Sequence, residues 1–149
     1  PVICVVGGLC VGGGLHFVVD ADIVIAARQA AFMDTHVNVG MVGALENVGL
    51  ARRLPLGSAL RMTLMGRHYR MPAERAYQLG LVDELADDPG QAMALAESMA
   101  EQMRENSPQA MALSKQSHEQ ERQRLHAFRR CKSHKICARC AAYFFFRFL

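Results

Sequence analysis

Tryptophan is absent from the 149 residues, charged side chains make up only 21%, and no Lys, Arg, Asp or Glu occurs before Asp20. The charges that are present nearly balance, 17 Lys and Arg against 14 Asp and Glu, and a formal +3 is too mild for a nucleic-acid binder. The uncharged opening run lacks a basic leader, is broken by five glycines and ends at Asp20 and Asp22, which argues against both a signal peptide and a membrane span. Cysteine is sparse and odd in number, with Cys4 and Cys10 in one cluster and Cys131, Cys137 and Cys140 in another. That excludes a secreted disulfide framework and points to a reducing, cytoplasmic setting.

With 51% apolar residues and few charges, the chain through residue 114 is no disordered segment; it suits one compact domain and is short for two. The small net charge hides an asymmetry. Nine Lys and Arg against two acids lie from Lys115 onward, so a slightly acidic body precedes a basic tail. A core at 1–115 and a separate tail at 116–149 are therefore expected. Because Pro1 falls directly inside a strand-like run, the sequence reads as a portion of a longer domain.

Residues 2–6, a β-branched run, predict a strand buried on both faces. Gly7 and Gly8 break it, and Gly12-Gly13-Gly14 start an apolar helix carrying Leu15, Phe17, Val18 and Val19. Residues 22–27 predict a second strand, and 31–33 a short third one after the Arg28-Gln29 turn. Strand, helix, strand in that order indicates an α/β layer with parallel strands. Helices are expected over 45–54, from a Ser58 cap to Met65, after Pro72 as far as Gly80, from Asp88-Pro89, and from Ser107-Pro108. Leu81-Val82 suggests a short edge strand. Met93, Ala96, Ala100 and Met103 mark the buried stripe of the helix after Pro89.

The glycine cluster allows three mechanisms. Gly8, Gly12 and Gly14 match the dinucleotide pattern of short-chain dehydrogenases, but Tyr69, Tyr77 and Tyr143 each lack the Lys four positions on that such enzymes need. A small-residue helix contact in a membrane is disfavoured by the charges that follow. The third mechanism is an oxyanion hole, in which a glycine N–H at a helix start meets a carbonyl oxygen that becomes negative during reaction. A tight turn made only for packing is the bland alternative.

Pro1-Val2-Ile3, Gly8-x-x-x-Gly12-Gly13-Gly14 and Asp22-Ile23 together resemble the central segment of the enoyl-CoA hydratase/isomerase (crotonase) family. Leu64-Met65-Gly66-Arg67, Ala73-Glu74-Arg75-Ala76 and Gly80-Leu81-Val82-Asp83-Glu84 resemble that family's downstream signature, in order and at its spacing. The resemblance covers about residues 1–115. It implies a partial β-β-α superhelix followed by a helical C-terminal region that builds trimers or hexamers. It also implies an acyl-CoA thioester as substrate, as in fatty acid metabolism, with coenzyme A arriving on the substrate and no other cofactor, metal, nucleic acid or membrane. Gly13 stands where the family's second oxyanion N–H originates, and Gly12, Gly14 and Gly40 fall in its substrate-binding segments. The first oxyanion donor belongs to an upstream half outside this sequence.

Two Glu side chains move protons in the family's hydratases, and His16 and His36 stand at those two positions, with Gly40 at its expected place after His36. An imidazole titrates near neutral pH, so it is competent as general acid or base. Two carboxylates replaced at once is the sequence's main departure, and it leaves open a site that has changed or lost its chemistry. Glu46 is the nearest downstream carboxylate and a candidate to orient His36, as a triad acid does. Asp34 competes with it, because in an extended segment it shares a face with His36. A His paired with an acid occurs in the family's hydrolases of cyclic diketones, which supplies a second reading. A non-catalytic chain that only assembles is a third.

In the tail, Cys131, His134, Cys137 and Cys140 would crowd one zinc ion, since structural zinc sites pair two short clips across a longer span. The basic residues followed by Tyr143-Phe144-Phe145-Phe146 suit RNA or a membrane surface less well than a helix packing its aromatics on the protein.

Overall fold

The structure, a computed structural model, describes residues 1–133, with side chains described through Glu121. The chain divides into a compact unit, Pro1–Glu105, and a second unit, Asn106–Leu149, a break earlier than the 115/116 division expected from composition. The first unit winds as paired strands. β1 (Ile3–Val6) and β2 (Leu9–Val11) lead into α1 (Gly14–Asp20), and β3 (Ile23–Ala27) and β4 (Ala31–Met33) repeat the pair. β3 lies parallel to β1 with Ile3 opposite Ile23, and β4 lies parallel to β2 with Leu9 opposite Ala31. Each strand pair thus stacks on the one before, which is a β-β-α superhelical turn. β6 (Glu84–Ala86) extends the first sheet to the order β1-β3-β6, and β5 (Met71–Pro72) closes the second as β2-β4-β5.

β3 reads as an unbroken apolar run because both of its faces are covered. Val24 and Ala26 join the main core with Leu15, Val18, Phe32 and Leu50, whereas Ile25 packs on the other side against Ala92 and Ala96 of α5 (Pro89–Arg104). The α5 stripe is therefore Ala92 and Ala96, flanked by Leu95 and Met99. Met93, expected on that stripe, is exposed, because the helix is rotated to place alanines on the sheet. Asp88 caps α5 by accepting the Gln91 N–H at 2.9 Å, with Pro89 at the first helical position.

Along the chain between β4 and β6 lie α2 (Ala44–Arg53), α3 (Leu56–Met65) and α4 (Ala73–Gln78). α1 and α2 cross at Gly49, whose missing side chain admits Val19; a Cβ there would overlap Val19 Cβ and Cγ2. Arg53 then closes the end of α1, donating from Nε to the Val19 carbonyl at 3.2 Å and from Nη2 to the Ala21 carbonyl. Two sequence expectations are corrected. Ser58 does not cap α3, which starts two residues earlier with Pro55 as its cap and the Ser58 N–H bonded to the Pro55 carbonyl at 2.9 Å. Leu81-Val82 forms no strand. Both side chains are fully buried in the main core, and the edge strand is β6, reached after Asp83 clasps β3 through a 2.7 Å bond from the Val24 N–H. Gly80 ends α4 with φ +82°, the left-handed conformation expected after Leu79.

The second unit contains α6 (Pro108–Ser133), which begins at the Ser107-Pro108 signal, with the Met111 N–H bonded to the Ser107 carbonyl at 3.0 Å. The suggested Cys131/His134/Cys137/Cys140 cluster and the Tyr143–Phe146 run extend outside the described residues. Among the described residues no helix is long and apolar enough to cross a membrane, and no group of three potential metal ligands comes together.

Candidate active site

β4 and the segment after it deliver an acid and an imidazole to one point. Asp34, the residue following β4, is completely buried, at 0% exposure. Its Oδ1 accepts the backbone N–H of His36 at 3.0 Å and lies 2.6 Å from His36 Nδ1. This short-range turn fixes the imidazole against its own backbone. The ring is 16% exposed and occupies space beside two glycines. A Cβ on Gly43 would sit 2.7 Å from His36 Nδ1, and one on Gly12 would sit 3.9 Å from His36 Cε1. The glycine turn before α1 is thus in contact range of His36. That turn is stitched to β4 by the Gly12 N–H, which donates to the Met33 carbonyl at 2.9 Å.

His36 opens a 3-10 turn, His36–Val39, that ends at Gly40 with φ +70°. Asn38 within it reaches across to the end of α3, accepting the Arg67 N–H at 2.8 Å. Gly66, at φ +54°, leaves room for that amide, since a Cβ there would overlap Asn38 Oδ1. The Leu64-Met65-Gly66-Arg67 segment, which served in the sequence only as a family signature, is therefore the anchor of the His36 loop. No local pattern links Asn38 to Gly66, so sequence reasoning missed the pair.

Of the candidate glycines, three have a reason of their own to be glycine. Gly12 and Gly40 have positive φ, and a Cβ on Gly14 would press on Cys10 Sγ at 3.3 Å. Gly13 differs. Its φ of −58° and ψ of −21° suit any residue, and a Cβ there would meet nothing within 4 Å. None of the hydrogen bonds among the described residues uses its N–H, while its carbonyl accepts from the His16 N–H at 3.2 Å.

His16 lies in the first turn of α1 with Nε2 3.3 Å from Asp20 Oδ2 and a side chain 39% exposed. Its Nδ1 is buried without a partner. Glu46 does not take the role considered for it. It sits half-buried in the first turn of α2, where the helix N-terminus favours a carboxylate, and among the described residues it forms no ion pair with His36. The acid that meets His36 is Asp34, because the turn between them needs only two residues, whereas Glu46 starts a separate helix.

A cavity of about 470 Å³ adjoins this region, lined by Cys4, Val6, Leu9, Cys10, Phe17 and Val18 and touching the glycine turn through Gly14. It is an apolar space along β1, β2 and α1 rather than the place where Asp34 and His36 meet, and β1 and β2 each form an outer strand of their sheet there. Burial pushes the Cys10 thiol up to about 11, with the nearby Cys4 adding to the effect, and Cys4 is raised by burial as well. At pH 8 a thiol of that pKa is about 10⁻³ ionised, so Cys10 should alkylate with iodoacetamide about a hundredfold more slowly than an unperturbed cysteine. Peptide-resolved mass spectrometry measures this, and equal rates in native buffer and in urea would contradict it. The folded state keeps the Cys10 proton to higher pH than the unfolded chain, so the contribution to stability is complete below about pH 9 and is lost as pH rises toward 11.

Parallel strand pairs stacked one on the other, each pair leading on through a helical turn, define a crotonase-type fold. The comparisons with known proteins agree: the enoyl-CoA hydratase/isomerase family model matches residues 1–136, and the chain belongs to that family. Over 104 residues it is 35% identical to (E)-benzylidenesuccinyl-CoA hydratase of Thauera aromatica, covering 69% of this chain and 40% of that protein. It is 32% identical over 106 residues to 1,2-epoxyphenylacetyl-CoA isomerase of Escherichia coli, covering 68% of this chain and 40% of that one. The crystal structure of an enoyl-CoA hydratase/isomerase from Mycobacterium paratuberculosis superposes with a TM-score of 0.70 at 44% identity, covering 74% of this chain and 43% of its own. The chain thus spans about two fifths of the length of the relatives it matches.

Proposed function

We propose that this chain carries the enolate-stabilising part of an acyl-CoA hydratase/isomerase site. The observation that carries the reading is Gly13. Neither backbone conformation nor packing requires glycine there, and its N–H faces no protein acceptor among the described residues. A ligand that approaches the main chain supplies the missing reason. The Gly13 N–H donates to the thioester oxygen and gains strength as that oxygen becomes an enolate. His36 takes a proton from water while the water oxygen bonds to the β-carbon and the alkene electron pair moves to the thioester oxygen. The enolate is then protonated at the α-carbon, with His16 at the second proton-transfer position. Coenzyme A enters as part of the substrate. Self-association into trimers or hexamers belongs to the same proposal.

Gly13→Ala tests it, because the substitution has space in the protein and a compatible φ. The melting temperature should stay within a degree or two, while turnover of an enoyl-CoA falls about a hundredfold, the usual effect of disturbing one oxyanion donor. Unchanged turnover would remove Gly13 from the site. The 2.6 Å pair of His36 and Asp34 also favours a second reading, a hydrolase of cyclic diketones. Consumption of a β-diketone in place of an enoyl-CoA would decide for it.

A further inference from the structure

We infer that Asp34 and Gly43 are positioning residues that fix His36 as the Nδ1–H tautomer, leaving Nε2 as its proton-accepting atom. The inference rests on His36 acting in proton transfer, as proposed above. Oδ1 of Asp34 receives two donors from one residue, the backbone N–H at 3.0 Å and the ring Nδ1 at 2.6 Å. A carboxylate oxygen only accepts, so the proton between the two groups belongs to Nδ1. The neutral ring then has its lone pair on Nε2. Oδ2 of the same carboxylate is buried and has no partner in the structure. Both donors to this carboxylate come from His36, so it ties the ring to its own backbone and leaves Nε2 free to accept.

Gly43 supplies an independent observation. It precedes α2 with φ −74°, which requires no glycine, yet a Cβ there would lie 2.7 Å from Nδ1 and 3.2 Å from Cε1. Position 43 is therefore small because the ring occupies the space. Carboxylate on one side and bare backbone on the other leave the imidazole a single orientation. Sequence reasoning weighed Asp34 as a partner but had no signal for Gly43, which lies seven residues away on the far side of the Gly40 turn.

The test is the ¹⁵N spectrum of the histidine rings in the whole protein, with the His36 signals assigned by their loss in His36→Gln. In the unmodified protein the proton should reside on Nδ1, with Nε2 bare. Asp34→Asn, which keeps the shape and removes the charge, should abolish this preference and lower kcat about a hundredfold or more with KM nearly constant. Gly43→Ala should disturb the same ring signals, and Asp34→Glu should recover part of the preference. A proton on Nε2 in the unmodified protein overturns the inference without any variant, as does Asp34→Asn with its tautomer and kcat intact. If the tautomer behaves as stated but no thioester is turned over, the functional reading fails and the positioning role stands.

Discussion

His36→Gln should lower turnover of an enoyl-CoA by about 10²–10⁴, the range spanned by loss of a general acid–base group. Glutamine is the informative replacement. Asp34 is wholly buried, and its Oδ1 meets the His36 ring at 2.6 Å. His36→Ala would leave that carboxylate with the backbone N–H as its sole partner, and breaking a buried pair costs about 3–5 kcal/mol. Lost activity in the alanine variant would then reflect a damaged fold as much as missing chemistry. The glutamine amide can still donate toward Oδ1 but cannot accept a proton near neutral pH. Stability measured by urea denaturation should therefore stay within about 1 kcal/mol of the parent in His36→Gln and drop further in His36→Ala. Equal turnover in the parent and His36→Gln would show that the imidazole moves no proton.

The second large effect is expected far from any catalytic group. Gly49→Ala should destabilise the protein even though alanine is the better helix former by about 1 kcal/mol. The new Cβ would overlap Val19 Cβ and Cγ2, and Val19 is itself locked in α1 with its carbonyl held by Arg53. Neither element yields cheaply, and overpacking of this kind costs about 3 kcal/mol. The clash exceeds the propensity gain, for a net loss of about 2 kcal/mol. Gly57→Ala on α3 is the control, because a Cβ there meets nothing within 4 Å. It should stabilise by about 0.5–1 kcal/mol. Opposite shifts of the two urea midpoints, with Val19→Ala restoring most of the Gly49→Ala loss, would establish the crossing as the cause. Two shifts of the same sign would refute it.

What was legible in the sequence follows the range of the forces involved. The runs at 2–6 and 22–27, the Gly80 stop and the Asp88-Pro89 start depend on neighbouring residues, and β1, β3, α4 and α5 formed near the expected places. Leu81-Val82 had the composition of a strand but became buried loop, because Asp83 binds the Val24 N–H and β6 pairs with β3 only beyond it. Met93 looked like core by spacing; which face of α5 turns inward is decided by Ile25 of β3, distant in sequence. At the candidate site, the glycine cluster stood out by its pattern, and Gly13, Gly40 and both histidines by their places in the segments that resemble the family's. Glu46 and Asp34 could not be ranked without the turn that folds Asp34 Oδ1 onto His36. The individual reasons for glycine at 12, 14 and 40, and the want of one at 13, likewise emerged only from backbone angles and the atoms opposite each missing Cβ.

The clasp between Asn38 and the end of α3 makes two distant positions a single heritable unit. A side chain at 66 is admissible only if 38 becomes shorter, and a shorter residue at 38 gives up its hold on the Arg67 N–H. Among descendants of this sequence, drift at one position constrains drift at the other, and the imidazole two residues before Asn38 inherits the result.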